Sequence, residues 1–335
     1  MAKFLYIGQY SDGSTSKMRG EKLKEIFSHM EFIVIDTNIP YNNSSRIFKS
    51  LAFRFKTGPV IKKLNQYILD RIKNTHYDLI WIDKGIYINK STIAIVRNLT
   101  SKLVHFTPDP AFTFHKSAHF NACCKNYDYL VTTKLFEVDI YKRKCNGKII
   151  YATQGFDKNI HYPRHHYSEK QGVSFIGHFE KERGVAIQAL IDNKIIVKLA
   201  GIKWEDFVRK NRNNEYLIYC GTGVFGDAYS NLISSSLFAL GSVSKWIPEL
   251  HTTRTFEIPA CGTALLTEAN IETSSFFEKD EVIFYNDIPD LINRIQYYSS
   301  HPDELQLLTK KGYHKVQNKF EYGYLMQEVV KEINK

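Results

Sequence analysis

Residues 251–268 read HTTRTFEIPACGTALLTE and combine charges, small residues and an apolar segment in one short stretch. Arg254 and Glu257 stand three positions apart, small residues follow them, and an apolar β-type segment begins at residue 264. The small residues let a helix pack closely on a sheet, but packing does not explain the two charges. The stretch therefore predicts a helix that leads into a buried strand and carries a charged pair in its first turn.

Outward from this stretch, apolar runs alternate with amphipathic ones along most of the chain, which is typical of α/β domains with parallel sheets. The predicted strands occupy residues 4–8, 32–36, 79–83, 103–107, 129–132, 149–151, 173–177, 195–201, 237–242, 264–268 and 282–285. The predicted helices occupy residues 16–29, 60–73, 90–99, 134–142, 182–192, 288–299, 302–320 and 322–333.

The chain of 335 residues is too long for one typical core, so we expect two domains. The alternation pauses at residues 153–172, TQGFDKNIHYPRHHYSEKQG, which we interpret as a linker. The predicted domains are residues 1–155 and 170–320, with a helix in 321–335 that returns toward the N-terminal domain. Polar loops follow the strands of both predicted sheets, so we expect them to open onto a cleft between the domains.

Composition limits which partners and which cellular compartment we expect for the protein. The 45 Lys and Arg exceed the 35 Asp and Glu, and the net charge of +10 suggests phosphate-bearing ligands or an anionic membrane surface. No nucleic-acid-binding motif accompanies this charge, so we do not expect a nucleic-acid partner. No apolar run is long enough for a membrane span and no signal peptide is evident, so we expect a soluble cytoplasmic protein whose five cysteines are unpaired.

The charged pair at the predicted helix start suits a nucleotide. An ionised carboxylate such as that of Glu257 can accept two hydrogen bonds from a ribose diol. The planar guanidinium of Arg254 suits a diphosphate, and the positive end of the helix dipole adds to it. The alternative is a solvated surface pair three residues apart, which contributes only a few tenths of a kcal/mol.

Residues 251–268 resemble the hallmark of the glycosyltransferases related to the spore-maturation protein CgeB, within the GT-B superfamily. The similarity continues through residues 276–316, FFEKDEVIFYNDIPDLINRIQYYSSHPDELQLLTKKGYHKV, and through residues 173–183, VSFIGHFEKER. It is specific over residues 173–318 and looser over the first 150 residues.

The resemblance implies a GT-B fold of two Rossmann-like domains and transfer of a sugar from a nucleotide-sugar to a glycan, glycolipid or other acceptor, as in bacterial surface polysaccharide or glycoconjugate synthesis. It implies that Glu257 holds the ribose and that Arg254 and Thr255 hold the diphosphate. His251 joins this donor-binding set. Glu249, the first carboxylate of an E-x7-E pattern, would face the donor sugar as a catalytic residue, although the Gly-rich segment that often follows it is replaced here.

Two further donor-side candidates lie in the motif after the predicted strand at residues 173–177. The resemblance matches Gly177 to a turn whose backbone approaches phosphate, and Arg183 to a cation on the following helix. The alternatives are a plain tight turn for Gly177 and a solvated surface charge for Arg183.

Asp109 and Lys84 are the candidate catalytic residues of the N-terminal domain, because each follows a predicted strand. Asp109 lies between two prolines in TPDP and could accept the proton of an acceptor hydroxyl. Asp83 and Lys84 have a similar position after the preceding strand. The alternative for Asp109 is a turn residue that caps the segment after it.

The sequence does not favour a metal or a redox cofactor. No DxD motif occurs, and the histidines at 161, 165 and 166 have no common metal-site spacing, so we expect them in a solvated linker and the transfer to be metal-independent. A nicotinamide-dependent oxidoreductase would need GxGxxG after the first strand, which GQYSDGST does not supply. A non-catalytic, two-lobed sugar- or nucleotide-binding protein stays open as the alternative.

Residues 46–73 form a basic stretch in which apolar and aromatic residues are interleaved. The stretch contains eight Lys or Arg against the single acid Asp70. This pattern suits an anionic membrane surface or a lipid-linked acceptor, and it suggests peripheral attachment to the inner membrane face. The alternative is an amphipathic helix whose lysines are simply solvated.

Overall fold

The computed structural model describes residues 1–335 and divides the chain into two units. Unit 1 contains Met1–Thr153 together with Tyr322–Lys335, and unit 2 contains Gln154–Glu321. Each unit is an α/β fold built on one six-stranded sheet in which every strand pair is parallel. The predicted fold class, two Rossmann-like units with parallel sheets, is therefore confirmed.

The sheet of unit 1 has the strand order β2-β1-β3-β4-β5-β6. Its strands are β1 (Lys3–Gly8), β2 (Glu31–Asp36), β3 (Leu79–Asp83), β4 (Leu103–Thr107), β5 (Tyr129–Thr132) and β6 (Lys148–Tyr151). Its helices are α1 (Thr15–Ile26), α2 (Asn38–Asn42), α3 (Arg46–Phe55), α4 (Pro59–Arg71), α5 (Lys90–Arg97), α6 (Ala118–Cys123) and α7 (Val138–Lys144). The strand order changes direction between β1 and β3, and open α/β sheets bind ligands at such a switch point.

The sheet of unit 2 has the strand order β12-β11-β10-β7-β8-β9, which is the Rossmann order with its switch point between β7 and β10. Its strands are β7 (Val173–Ile176), β8 (Val197–Ala200), β9 (Leu217–Tyr219), β10 (Phe238–Leu240), β11 (Ala264–Glu268) and β12 (Ile283–Tyr285). Its helices are α8 (Lys181–Asp192), α9 (Glu205–Lys210), α10 (Gly226–Ser234), α11 (Arg254–Ala260), α12 (Thr273–Phe276), α13 (Ile288–Ser300) and α14 (Pro302–Lys319). The last helix, α15 (Tyr322–Asn334), belongs to unit 1.

The central strands of unit 1 are buried on both faces. Every residue of β3 and β4 is buried, and Trp81 and His105 lie within them without any exposed surface. Strands of a parallel sheet covered by helices on both sides read as continuous apolar runs, which is why their bounds are predictable from sequence. Helix α15 packs against α1, and the Lys102 ammonium donates to Asn334 at 2.9 Å.

The end of β7 in unit 2 lies against the end of β8 with almost no space between them. Gly201 has a φ of 141°, and a Cβ atom there would stand 1.9 Å from the carbonyl oxygen of Gly177. That oxygen also accepts a hydrogen bond of 2.8 Å from the indole nitrogen of Trp204, which is fully buried. These contacts fix the backbone at Gly177, the turn that leads from β7 toward α8.

Residues 153–172 are not the loose linker that the sequence suggests. Phe156 is fully buried in a core of unit 2, and its amide donates to the Phe320 carbonyl at 3.2 Å. The Lys170 side chain is also buried, where it donates to the Gly262 carbonyl, and burial lowers its pKa to about 8. Turn residues and the lack of a periodic pattern hide these anchoring contacts, because the partners are distant in sequence.

Seven elements were not predicted from the sequence: α2, α3, α6, α9, β9, α10 and α12. Strand β9 is only three residues long at the edge of its sheet, and its Ile218 is 45% exposed. Such a short strand carries too few residues for a period to be recognised. None of the helices combines the length and the apolar composition needed to cross a membrane.

Candidate functional site

Arg183 lies at the switch point of unit 2, where β7 leads into α8. The turn after β7 brings Glu180 to the position before α8, and Arg183 follows in the first turn of that helix. The Arg183 guanidinium pairs with Glu180 at 2.9 Å and donates to the His178 carbonyl at 3.1 Å. Because the side chains of Glu180 and Arg183 are each only 5% exposed, the orientation of Arg183 is fixed by these contacts. Arg183 is therefore not the solvated surface charge of the alternative interpretation.

Arg254 approaches the same switch point from the other side, as the first residue of α11. Its guanidinium donates to the carbonyl of Ser242, two residues past the end of β10, at 3.0 Å. The Nε atoms of both Arg254 and Arg183 are buried and have no protein acceptor. Buried N–H donors of this kind normally have a partner, and an anionic ligand oxygen is one group that can supply it for both side chains.

The charges at this switch point influence one another. The pKa of Arg183 is lowered by burial and then by the neighbouring positive charge of Arg254, while Glu180 and Glu249 oppose that shift. Two cations that repel each other in a buried setting are stabilised by an anion. We call this group the arginine cluster, and it consists of Glu180, Arg183, Glu249 and Arg254. The half-buried Glu249 stands in the irregular loop before α11.

Glu257 occupies a more enclosed place on α11. Its carboxylate accepts a hydrogen bond of 2.5 Å from the Tyr229 hydroxyl, and the His161 ring nitrogen lies 3.6 Å from its other oxygen. Burial and the Glu257 charge together raise the pKa of Tyr229 well above its ordinary value, so Tyr229 is a protonated donor. Glu257 is therefore not a solvated surface charge, and its Oε1 atom keeps capacity to accept from a further group.

The prediction that His161 is solvated is wrong. The residue is 2% exposed, and its Nδ1 atom faces the backbone N–H of Asp157 at 3.2 Å. Neither His161 nor Tyr229 could be identified as a neighbour of Glu257 from the sequence, because they are 96 and 28 positions away from it along the chain. The motif shows Glu257 but not the two side chains that surround it.

His251 and Thr255 fix the turn that leads into α11. His251 is 1% exposed, with Nδ1 at 2.5 Å from a Glu272 carboxylate oxygen and Nε2 accepting from the backbone N–H of Gln154 at 3.2 Å. Both ring nitrogens are thus engaged, with the proton on Nδ1. Thr255 is also buried, and its hydroxyl oxygen accepts from the backbone N–H of Thr252 at 3.1 Å. Through these contacts both residues hold the turn before α11 in place, so they are positioning residues.

In unit 1 the ends of β3 and β4 bring Lys84 and Asp109 together, with the Lys84 ammonium 2.6 Å from the Asp109 carboxylate. Burial, the largest single influence, would raise the pKa of Asp109, but the charge and hydrogen bond of Lys84 together with the charges of His115 and Lys134 lower the pKa overall. A carboxylate with a lowered pKa is a weaker base at neutral pH. The geometry therefore suits Asp109 for binding and orienting a hydroxyl better than for removing its proton.

The backbone at Lys84 adopts an uncommon conformation, with a φ of 70°. The Lys84 N–H donates to the Phe106 carbonyl at 2.6 Å, and the Nε2 atom of buried His105 lies 3.1 Å from the Lys84 carbonyl oxygen. Burial lowers the pKa of His105 to about 4, so the ring is neutral and donates to that oxygen. Asp83, the other candidate at this strand end, is fully engaged by Arg19 through two hydrogen bonds of 2.9 Å each.

The loop that carries Asp109 is held by Glu137, which the sequence did not indicate. The Glu137 carboxylate has no exposed surface and accepts from the backbone N–H groups of Ala111, Phe112 and Thr113, at 2.7 to 3.1 Å. It also accepts from the Thr113 hydroxyl at 2.8 Å. Nothing in the sequence around Glu137 links it to a loop more than twenty residues earlier, so only the structure reveals this role.

No group of three or more His, Cys, Asp or Glu side chains is arranged to hold a metal ion. Of the nine residues selected from the sequence, the arginine cluster brings together Arg183, Arg254 and Glu249, with Gly177 at the turn before Arg183. Glu257, His251 and Thr255 lie in or next to α11, whereas Lys84 and Asp109 belong to unit 1.

Residues 183–331 match the family described as glycosyl transferase-like, which is somewhat less than half of the chain. No match is found among curated protein sequences.

The fold is shared with solved structures over the full length. A sucrose-phosphate synthase from Thermosynechococcus elongatus is 14% identical, with a TM-score of 0.68 and 99% of both chains covered. Anabaena Alr3699/HepE in complex with UDP-glucose is 13% identical, with a TM-score of 0.66 and 100% of both chains covered. A UDP-N-acetylglucosamine 2-epimerase is 12% identical, with a TM-score of 0.56 and 98% and 94% covered. The chain thus has the fold of the GT-B glycosyltransferases, and within it residues 183–331 match the glycosyl transferase-like family.

Proposed function

We propose that the protein is a glycosyltransferase that binds the nucleoside diphosphate of a nucleotide-sugar donor in unit 2. The observation that carries this proposal is the arginine cluster at the switch point between β7 and β10. There Arg183 and Arg254 each keep a buried Nε donor without a protein acceptor. A diphosphate supplies the anionic oxygens that such donors require.

The comparisons support the donor class. HepE is described in complex with UDP-glucose, and the sucrose-phosphate synthase shares the same fold over its whole chain. The family match begins at Arg183 itself and includes all of α11. We propose that the chain is CgeB-like within this family, on the strength of residues 251–268.

The proposed chemistry depends on charge at the leaving group. As the bond to the anomeric carbon breaks, negative charge grows on the diphosphate while the sugar acquires oxocarbenium character. Arg183 and Arg254 stabilise that growing charge from fixed positions, which lowers the barrier. We propose that they do so without a divalent ion, so that transfer is metal-independent.

The remaining donor-side residues have supporting roles in this proposal. Glu257 accepts from the ribose hydroxyls with its free Oε1 capacity, and the Gly177 backbone approaches the phosphates. Glu249 faces the donor sugar next to the guanidinium groups, where it stabilises positive charge on the ring. His251 and Thr255 keep the start of α11 in place.

We propose that unit 1 binds the acceptor, a glycan or a lipid-linked glycan of the kind used in bacterial surface polysaccharide or glycoconjugate synthesis. Lys84 and Asp109 orient the acceptor hydroxyl. Helix α3 presents Ile47, Phe53 and Phe55 to solvent, each at least 60% exposed, beside several basic side chains. We propose that this face contacts an anionic membrane surface, so that the enzyme works as a peripheral protein of the cytoplasmic side.

The decisive experiment is to incubate the purified protein with UDP-glucose and related nucleotide-sugars, with and without EDTA, and to measure free nucleoside diphosphate. We expect slow release to water without an acceptor, no effect of EDTA, and a large loss in Arg254→Gln. Arg209→Gln is the matched control, because Arg209 is an exposed arginine of α9 in the same unit.

Two outcomes would contradict the proposal. Tight binding of nucleotide-sugars with no release, even when candidate acceptors are added, would indicate the non-catalytic alternative. Conversion of the donor into an epimer without release of the sugar would indicate a reaction like that of the epimerase with the same fold.

A further inference from the structure

The switch point of unit 1 contains a pocket between the ends of β1 and β3, which the donor-site proposal does not use. Helix α3 and the segment after it form one wall with Phe53 and Lys56, and the segment after β3 forms another with Lys84 and Tyr87. Tyr41 completes the apolar part, and its ring stacks on the Tyr87 ring at 6.2 Å and 11°. The pocket is thus apolar along its sides and carries two ammonium groups.

The backbone at both lysines has an uncommon conformation that contacts from other residues of unit 1 support. Lys56 ends α3 with a φ of 53°, and the His119 ring nitrogen lies 2.8 Å from its carbonyl oxygen. Lys84 has its own positive φ and the donation from His105 described above. A non-glycine residue in the left-handed region is uncommon, and two of them line this one pocket.

The charges around the pocket do not balance. Asp83 is the only carboxylate in its lining, and both Asp83 oxygens are bound to Arg19. The Lys84 ammonium is paired with Asp109. The Lys56 ammonium lies 4.9 Å from the Phe53 ring and 5.6 Å from the Tyr87 ring, donates to the Phe53 carbonyl, and has no carboxylate within ion-pair distance. One positive charge is therefore left over, next to an apolar wall.

The two ammonium groups also repel each other. The pKa of Lys56 is lowered by burial and then by the positive charge of Lys84. A phosphate at Lys56 would offset this repulsion and would gain charge-assisted hydrogen bonds from the Lys56 ammonium. A neutral sugar hydroxyl would do neither.

We propose that this pocket binds a phosphate group that bears an apolar substituent, with the phosphate at the unpaired ammonium of Lys56 and the substituent along Phe53, Tyr41 and Tyr87. The inference rests on the proposed function, because it identifies the chemical class of the acceptor that unit 1 receives. The exposed apolar face of α3 continues from the wall of the pocket that holds Phe53. A phosphate carried by a lipid or prenyl-type chain fits this arrangement better than a soluble sugar phosphate.

The test is a calorimetric titration of the whole protein with octyl phosphate, octanol, glucose 1-phosphate and inorganic phosphate. We expect octyl phosphate to bind at least about tenfold more tightly than each of the other three, because only it satisfies both the charge and the apolar wall. Lys56→Gln should weaken octyl phosphate binding about tenfold. Lys63→Gln removes the same charge from α4 of the same unit, outside the pocket lining, and should leave the affinity unchanged.

The proposal is overturned if Lys56→Gln and Lys63→Gln bind octyl phosphate equally, or if octanol or glucose 1-phosphate binds as tightly as octyl phosphate. Thermal unfolding of each variant shows that a loss of binding is not a loss of fold. Titration of the wild type with UDP separates this inference from the proposed function. UDP binding without octyl phosphate binding contradicts only the pocket, and octyl phosphate binding without UDP binding contradicts only the donor site.

Discussion

The strand ends of the two sheets differ in how their charged side chains are paired. In unit 2 the switch point presents Arg254 and Arg183, of which Arg183 is paired with Glu180, and the Nε donors of both arginines lack a protein acceptor. In unit 1 the corresponding strand ends close two ion pairs, Arg19 with Asp83 and Lys84 with Asp109. Both units are six-stranded parallel sheets with different strand orders, so the few residues that follow the strands decide which charged side chains keep donors for a ligand.

In the proposed function, this difference gives the two units separate tasks. A site with unsatisfied cationic donors binds an anion strongly, which suits the diphosphate of a donor. A site with neutralised pairs and one remaining ammonium binds an acceptor more weakly, which allows the product to leave. This contrast between the units is contradicted if removal of charged residues lowers kcat/KM for the nucleotide-sugar equally in unit 1 and unit 2.

The largest expected effect is on the donor side. We expect Arg183→Gln and Arg254→Gln each to lower kcat/KM for the nucleotide-sugar by about 10²–10³-fold, because each removes a fixed donor from the leaving diphosphate. The measurement is the initial rate of nucleoside diphosphate release as a function of donor concentration. A loss of less than about threefold in both variants, with Arg209→Gln as reference, would remove the arginine cluster from the mechanism.

The next effect concerns the acid sensitivity of unit 1. The pKa of His105 is lowered to about 4 by burial, whereas an unfolded histidine titrates near 6.5. The unfolded chain therefore binds the proton first, so the stabilising contribution is complete above about pH 6.5 and is lost as the pH falls toward 4. The lost free energy of unfolding amounts to up to about 3 kcal/mol.

His105→Gln keeps an amide that can donate to the Lys84 carbonyl but does not titrate. We expect the Tm of the wild type to fall more than that of His105→Gln between pH 7 and pH 4.5. Titrations elsewhere in the chain are common to both proteins and cancel in the difference. Parallel pH profiles for the two proteins would show that His105 is not buried as a neutral ring.

A somewhat smaller effect is expected from the carboxylate beneath the Asp109 loop. Glu137→Gln replaces one acceptor oxygen by an amide that faces backbone N–H groups, and we expect a loss of about 2 kcal/mol in the free energy of unfolding. Denaturant unfolding measures it. Glu328→Gln is the control, because Glu328 is exposed on α15 of the same unit and its partner Lys331 is exposed as well. Equal stability of the two variants would mean that the loop does not depend on Glu137.

The smallest effect concerns the exposed face of α3. We expect the protein to sediment with vesicles that contain anionic lipid at low salt but not with neutral vesicles. Each of Lys49→Glu and Arg54→Glu should reduce the bound fraction, since a basic residue near the surface contributes about 1 kcal/mol. Lys142→Glu on α7 is the matched control. Binding that ignores lipid charge or these substitutions would leave α3 as a solvated helix.

The sequence predicted the sheets better than the site. The bounds of β3 and β4 agree with the prediction residue by residue, because buried parallel strands must be apolar throughout. Strand β9 was missed because it is short and half-exposed, and α3 because most of its apolar residues face solvent and leave no buried stripe.

Candidate site residues could be predicted only where they lie together in one short motif. Arg254 and Glu257 stand in a single short stretch, and the structure places both at or next to the switch point of unit 2. Tyr229, His161 and Glu137 reach their partners through folding from distant positions, so no local spacing reveals them. The lowered pKa of Asp109 likewise depends on a contact with Lys84 that only the packing of neighbouring strands creates.

The central claim is that unit 2 binds the nucleoside diphosphate at the switch point between β7 and β10. Amide hydrogen exchange with and without UDP tests it most directly, because a bound ligand slows the local opening of the backbone that it contacts. We predict slower exchange over residues 177–184 and 242–257, and no change over residues 83–86 and 106–113. Slower exchange confined to unit 1, or no slowing anywhere at saturating UDP, would contradict the account.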